Sequence, residues 1–252
     1  MGKVICCSNS KGGVGKSTSN FHIAFKLIEL GFSVLVIDQE TPASISYMLD
    51  PSHPVGKGEI LKLFTHSNYS PLIHKTPSGI DMIEVGGNLN EIDYFGGDVL
   101  FNFKQNISSL SRTYDYIIID TPPTLTLRLD CALACADFVF TPLAPEPLVV
   151  LGFNDFVLKY SNIRQRFNQG LPSLPYVFFN KVRGKSKKHP ELINEFNSFY
   201  DSKFNLFSCL FEREMVPDAV DASLPVWLFS NNADVNKEFD FLLTKIISIV
   251  VS

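Results

Sequence analysis

Residues Lys11–Thr18 read Lys-Gly-Gly-Val-Gly-Lys-Ser-Thr, between the apolar run Val4–Cys7 and the helical pattern Phe21–Leu30. Strand, glycine-rich turn and helix in that order make a phosphate cradle. Backbone N–H groups curl around phosphate oxygens, and the helix points its free N–H groups and positive dipole end at them. Gly12, Gly13 and Gly15 permit backbone angles and close approaches that a Cβ would block. Lys16 is placed to neutralise β- and γ-phosphates, and the Ser17 hydroxyl to sit on Mg²⁺. The general template, Gly-x-x-x-x-Gly-Lys-Ser/Thr, would put its first glycine at Ser10. The match is therefore to a variant, Lys-Gly-Gly-x-Gly-Lys-Ser/Thr, whose extra lysine, Lys11, lies outside the cradle and is free to reach a phosphate from another direction.

Two further acidic positions end apolar runs. Ser33–Asp38 and Tyr116–Asp120 are continuous apolar segments closed by aspartate, the pattern of central strands buried on both faces. Ligands of open α/β sheets bind outside the carboxyl ends of such strands, so Asp38, Asp120 and the loop Lys11–Ser17 are expected to converge. The other predicted strands are Lys3–Ser8, Asp81–Val85, Phe138–Pro142 and Pro175–Asn180. Predicted helices are Ser17–Leu30 (stopped by Gly31), Glu59–Thr65, Leu100–Arg112, Leu127–Ala136, Val149–Phe167, Glu191–Phe199 and Asn236–Val250. Alternating short apolar runs and helical patterns predict an α/β fold with a mainly parallel sheet. Residues 51–80, rich in Pro, Gly, Ser and His, read as a loop-heavy excursion. No repeat or linker interrupts the pattern, which predicts one domain over residues 1–252.

Composition narrows the function. Apolar residues make up 45% of 252, and net charge is −4, so nucleic-acid contact would need a local basic patch. Lys181–Lys188 supplies one, with five Lys or Arg in eight residues, suited to salt-sensitive contact with DNA phosphates. Five cysteines form an odd set and the chain enters a strand at once, which predicts a cytoplasmic setting with reduced thiols. Cys131 and Cys135, at i and i+4 on an apolar helix, read as core residues rather than metal ligands. No apolar run approaches the ~20 residues needed to span a bilayer. The tail Phe239–Val251 lacks a Lys/Arg-rich face and reads as a docked core helix.

Lys11–Thr18 resembles the deviant Walker A box of the ParA/MinD superfamily of ATPases. The resemblance implies a three-layer P-loop NTPase fold, with ATP and Mg²⁺ as cofactors. It also implies that Lys11, Gly12, Gly13, Val14, Gly15, Lys16, Ser17 and Thr18 hold the nucleotide. Lys11 would cross the interface of an ATP-sandwich homodimer to the partner's nucleotide. Asp120-Thr-Pro-Pro123 resembles the family's Walker B motif, which implies water-mediated Mg²⁺ binding by Asp120 beside Ser17 and Asp38. Asp38-Gln-Glu-Thr-Pro42 corresponds to the family's Asp-x-Asp-Pro-Gln, so that Asp38 and Glu40 would serve hydrolysis with Lys11 and Lys16. Glu40 replaces the expected Asp, and one added methylene predicts slow turnover, because a misplacement of ~1 Å can cost ~10²-fold.

The strand ending at Asn180 resembles the one whose terminal Asn reads the adenine edge, and Arg213 falls near the segment that closes over the nucleotide. By the same resemblance Lys181, Arg183, Lys185, Lys187 and Lys188 would contact non-specific DNA. The implied activity is ATP hydrolysis in plasmid or chromosome partition, stimulated by a ParB-type centromere-binding protein, in a nucleoid-associated protein without stable membrane association. No amino-terminal helix-turn-helix domain is expected, since the sequence opens on the first strand. The alternatives within the superfamily are a MinD-like membrane-associated positioning ATPase and a metabolic P-loop ligase or synthase.

Overall fold

The strands β1 (Lys3–Cys7), β2 (Val34–Asp38) and β5 (Tyr116–Asp120) are buried along nearly their whole length, as apolar runs covered on both faces must be. The computed structural model describes residues 1–252 apart from residues 54, 55, 57, 87, 97, 169, 173 and 201–203. With β3 (His74–Lys75), β4 (Asp81–Ile83), β6 (Phe138–Leu143), β7 (Tyr176–Val182) and β8 (Asn205–Phe211) they form an eight-stranded sheet in the order β3-β4-β2-β5-β1-β6-β7-β8. All pairings are parallel except β3 with β4. The predicted α/β three-layer architecture is thus present.

Alternation along the strands splits the core into two layers. Val4 and Cys6 face one apolar cluster, shared with α4 (Asp98–Leu110), α5 (Leu127–Cys135), α6 (Pro147–Phe167) and α7 (Lys188–Tyr200). Cys131 is buried and Cys135 packs against the same cluster, so both cysteines are core residues, as their spacing on an apolar helix suggested. Ile5 and Cys7 face the opposite cluster, built with α1 (Lys16–Glu29), α2 (Ser44–Leu49), α8 (Met215–Asp221), α9 (Val226–Phe229) and α10 (Ala233–Val251). α10 inserts Val235, Phe239, Leu242, Leu243, Ile246 and Val250 into it; the tail is a docked helix, one turn longer at its start than predicted. Its first turn is capped by Asn232, whose Oδ1 accepts from Asp234 N–H and Val235 N–H.

Several elements escape the sequence patterns: β3, β8, α2, α8, α9 and a 3₁₀ turn at Leu89–Tyr94. Within the loop-heavy excursion at 51–80, α3 (Ile60–Thr65) forms where the helix Glu59–Thr65 is predicted and β3 is added; residues 54, 55 and 57 lie outside the described residues. α1 ends as Gly31 predicts. Gly31 has φ +87°, its N–H donates to Ile28 O, and Phe32 N–H donates to Leu27 O, a Schellman closure that needs a left-handed residue there.

Candidate functional site

The loop between β1 and α1 is built around two left-handed glycines, Gly13 (φ +73°) and Gly15 (φ +98°). Gly15 is also the N-cap of α1 and brings no side chain to the first-turn N–H groups, leaving them directed at the loop's concavity. A Cβ on Gly15 would stand 2.2 Å from Asn180 Nδ2. That amide donates to Val14 O at 2.8 Å, and its Oδ1 accepts from Lys181 N–H at 2.9 Å. Asn180 therefore buttresses the loop as well as standing beside it. One N–H and one lone pair of its amide are spent, and one of each remains for a base edge.

The two lysines occupy opposite environments. Lys16 is buried, with Nζ 3.5 Å from Lys11 O; burial lowers its pKa, while the Glu40 and Asp120 charges hold it up. Lys11 is exposed. Its backbone is tied at both ends, the N–H to Asn9 Oδ1 at 3.1 Å and the carbonyl to Lys16 Nζ, but its ammonium makes no ion pair among the described residues.

Beneath the cradle the register pairs Asp38 with Asp120 at the carboxyl ends of β2 and β5. Both side chains are fully buried. Asp120 Oδ1 accepts from Asn20 Nδ2 at 2.7 Å, whereas its Oδ2 is buried with no hydrogen-bond partner among the described residues. Burial pushes the Asp120 pKa up to about 8, the Asp38 and Glu40 charges add to the rise, and the nearby Ser17 hydroxyl dipole and the Asn20 hydrogen bond oppose it. Asp38 has a different duty. Its Oδ2 accepts from the Ser46 hydroxyl (2.7 Å) and Ser46 N–H (3.1 Å), and Oδ1 accepts from Glu40 N–H (3.0 Å). It thereby caps α2, whose own N-cap is Ala43 with no capping side chain. Burial raises Asp38 to about 6 against these bonds. Glu40, half-buried, accepts from the Ser17 hydroxyl through Oε2 at 3.2 Å.

These donors suit a magnesium–phosphate group. Among the described residues no three His, Cys, Asp or Glu side chains are grouped to hold a metal by themselves. Magnesium needs no such cage, because it keeps several waters and takes one or two carboxylates with phosphate oxygens. The Ser17 hydroxyl and the unpartnered Asp120 Oδ2 fit that demand better than Asp38, whose oxygens are engaged. Pro123, of the motif after Asp120, lies where a Cβ on Gly12 would meet its Cβ at 3.6 Å, so the turn after β5 packs on the loop.

Beside α1 opens a cavity of about 300 Å³. Gly15, Thr18, Asn180, Arg213 and Pro217 line it together with the apolar Val220, Phe239 and Leu242. Arg213 is held there by Glu238 (Nη2 to Oε1, 2.6 Å). Lys181 at the end of β7, Lys185 and Lys187 on the loop that follows, and Lys188 at the start of α7 are all exposed; α7 starts at Lys188 rather than at Glu191 as predicted. Arg183 shares its charge with Glu212 at 2.6 Å. Sequence reading missed Asn20, Ser46, His22 and Arg128, all buried. A polar side chain on the buried face of an apolar helix was the available signal for Asn20, His22 and Arg128.

Comparison with known proteins agrees with this geometry. A family model described as an AAA domain matches residues 2–173. The protein IncC of Escherichia coli is 28% identical over 256 residues, covering 96% of this chain and 70% of that protein. The chromosome-partitioning ATPase Soj of Treponema pallidum is 24% identical over 255 residues, covering 98% of both. A plasmid partition protein of Borrelia burgdorferi B31, solved bound to AMPPNP, superposes with a TM-score of 0.79 at 26% identity, covering 99% of this chain and all of that one.

Proposed function

Because the chain belongs to the AAA-domain family matched over residues 2–173, and within it to the ParA/MinD type of P-loop ATPase, we propose that it is a DNA-partition ATPase. In this reading it binds ATP·Mg²⁺, pairs face to face with a second copy, coats DNA without sequence preference and is released when a ParB-type partner stimulates hydrolysis. The observation that carries the reading is the split between the two lysines: Lys16 is buried within the cradle and Lys11 stands exposed at its rim with no ion pair among the described residues.

Each residue has a task in this scheme. Backbone N–H groups from Gly12 to Thr18 and the Lys16 ammonium hold phosphate oxygens. The Ser17 hydroxyl and Asp120 would hold a magnesium ion, which when bound would supply charge neutralisation to those oxygens. Glu40, within hydrogen-bond reach of Ser17 Oγ, orients the attacking water and accepts its proton. Asp38 fixes the start of α2 and the segment that carries Glu40. The cavity lined by Thr18, Asn180 and Arg213 takes the base. ATP can drive pairing only through contacts present in the dimer and absent from the monomer. A Lys11 contact with the partner's terminal phosphate is one, and hydrolysis removes it.

The exposed lysines of the 181–188 loop support the DNA assignment. Cations at the start of α7 oppose its dipole, so they contribute nothing to that helix. α10 spends its apolar face on the core, which disfavours a MinD-like tail anchor, and no helix among the described residues is long and apolar enough to cross a membrane. The test is retardation of random duplex DNA with ADP, ATP or a non-hydrolysable analogue across a salt series. The expected result is a shift only with triphosphate that weakens steeply with salt. Equal retardation in all nucleotide states, or liposome binding without DNA binding, would overturn the reading.

A further inference from the structure

We propose that Arg128, on α5 and outside the phosphate cradle, is the positioning residue for Glu40. Arg128 is 4% exposed. Its Nη1 donates to Gln39 O at 3.0 Å, its Nη2 to Asn90 Oδ1 and Asp93 Oδ2 at 3.0 Å each, and its Nε to Asp93 Oδ2 at 3.2 Å. The guanidinium thus bridges three segments: the first turn of α5, the 3₁₀ turn Leu89–Tyr94, and the chain just past β2.

Gln39 is fully buried, and both polar atoms of its side-chain amide lack hydrogen-bond partners among the described residues. The residue is therefore held by its backbone alone: its N–H donates to Asp120 O at 3.0 Å and its carbonyl accepts from Arg128. On the other face of the sheet Asp38 is held by Ser46. Glu40 is the next residue out from this doubly held pair, and its N–H is fixed on Asp38 Oδ1. Removing the Arg128 contact frees one side of the clamp without touching the loop that holds phosphate. A buried arginine–carboxylate pair is weak evidence for stability; what a planar fork with fixed donors supplies is geometry.

The inference rests on the ATPase reading for its kinetic part, since it assigns Glu40 to hydrolysis. Its structural part is independent of that reading. The test compares wild type, Arg128→Met, Arg128→Lys, Glu40→Gln and the Arg128→Met/Glu40→Gln double variant in three measurements. Amide exchange in the nucleotide-free protein should rise about tenfold at Gln39 and Glu40 in Arg128→Met. Affinity for a fluorescent ATP analogue should stay within about twofold. Turnover should fall about tenfold to a hundredfold, the cost of a small misplacement of a catalytic group, with partial recovery in Arg128→Lys. In the double variant the loss should be no greater than in Glu40→Gln.

Unchanged exchange, unchanged turnover, a parallel loss of nucleotide affinity, or additive losses in the double variant would overturn the assignment. Should Arg128→Met fail to fold, Asp93→Asn decides, because it keeps the turn's shape and removes the charge that holds the guanidinium. It should show the same pattern at about threefold, and wild-type behaviour in all measurements would count against Arg128. A wild-type chain that binds ATP without turning it over would remove the function proposed above, leaving the exchange rates to decide the clamp.

Discussion

Lys16 and His22 sit on one helix and each is fully committed, one toward the cradle and one away from it. Lys16→Ala should weaken nucleotide binding by about tenfold to a hundredfold, the worth of a charge-assisted hydrogen bond, read by titration with a fluorescent ATP analogue. His22 joins α1 to α9: Nε2 accepts from Val226 N–H at 3.2 Å, so Nδ1 carries the proton that bonds Thr18 O at 2.7 Å. Burial pushes its pKa down to about 4, with the Thr18 bond opposing. Between its ordinary value near 6.5 and 4, the unfolded chain holds the extra proton, so stability falls as pH drops through that window and rises as pH climbs. The full effect is about 3 kcal/mol. His22→Gln should lower stability near neutral pH yet lose less on acidification than wild type, in urea unfolding at both ends of the window. The cradle was legible from its glycines and lysine, and Asp38 and Asp120 from the apolar runs they close, whereas Glu40 was singled out only through the family resemblance. Arg128 was not, because a guanidinium's partners at 39, 90 and 93 meet it only after folding.

Among the elements, those resting on long apolar runs or 3.6-residue periodicity followed the sequence closely: β1, β2, β5, β6, β7, α1 and α4–α6. α2 was hidden because Ser44-Ile-Ser-Tyr47 alternates like a strand; the Asp38 cap from another element makes it helical. β8 mixes Asn, Ser and Cys with apolar residues at a sheet edge, so it shows no run. α8 and α9 are short, with Pro217 in the first turn of α8 and Pro225 at the N-cap of α9, and a proline in sequence reads as a break. α10 is the element that closes the second core layer. Ile246→Ala, at a fully buried position, should cost about 3 kcal/mol, measured by denaturant unfolding. The loop entering α7 makes a separate prediction. Replacing Lys185, Lys187 and Lys188 by Ala should reduce DNA affinity and lower the salt slope by about one for each phosphate no longer neutralised, with nucleotide binding retained. Arg183→Ala should do less, because Glu212 already shares its charge.

Across the whole molecule, a chain with net charge −4 has no general cationic surface, and two local features carry the proposed function: the exposed lysine at the cradle rim and the basic segment at the end of β7. The single sheet brings residues 11–18, 38–40 and 120–123 to one end, as strand order and parallel pairing require. The proposed pairing of two copies rests on the family resemblance at one lysine, Lys11. The most direct measurement is therefore sedimentation of the wild-type chain and of Lys11→Gln with ADP and with a non-hydrolysable ATP analogue. Wild type should be a dimer only with the analogue, and Lys11→Gln should bind the analogue with wild-type affinity and remain a monomer. A Lys11→Gln chain that dimerises with the analogue as wild type does would contradict the account.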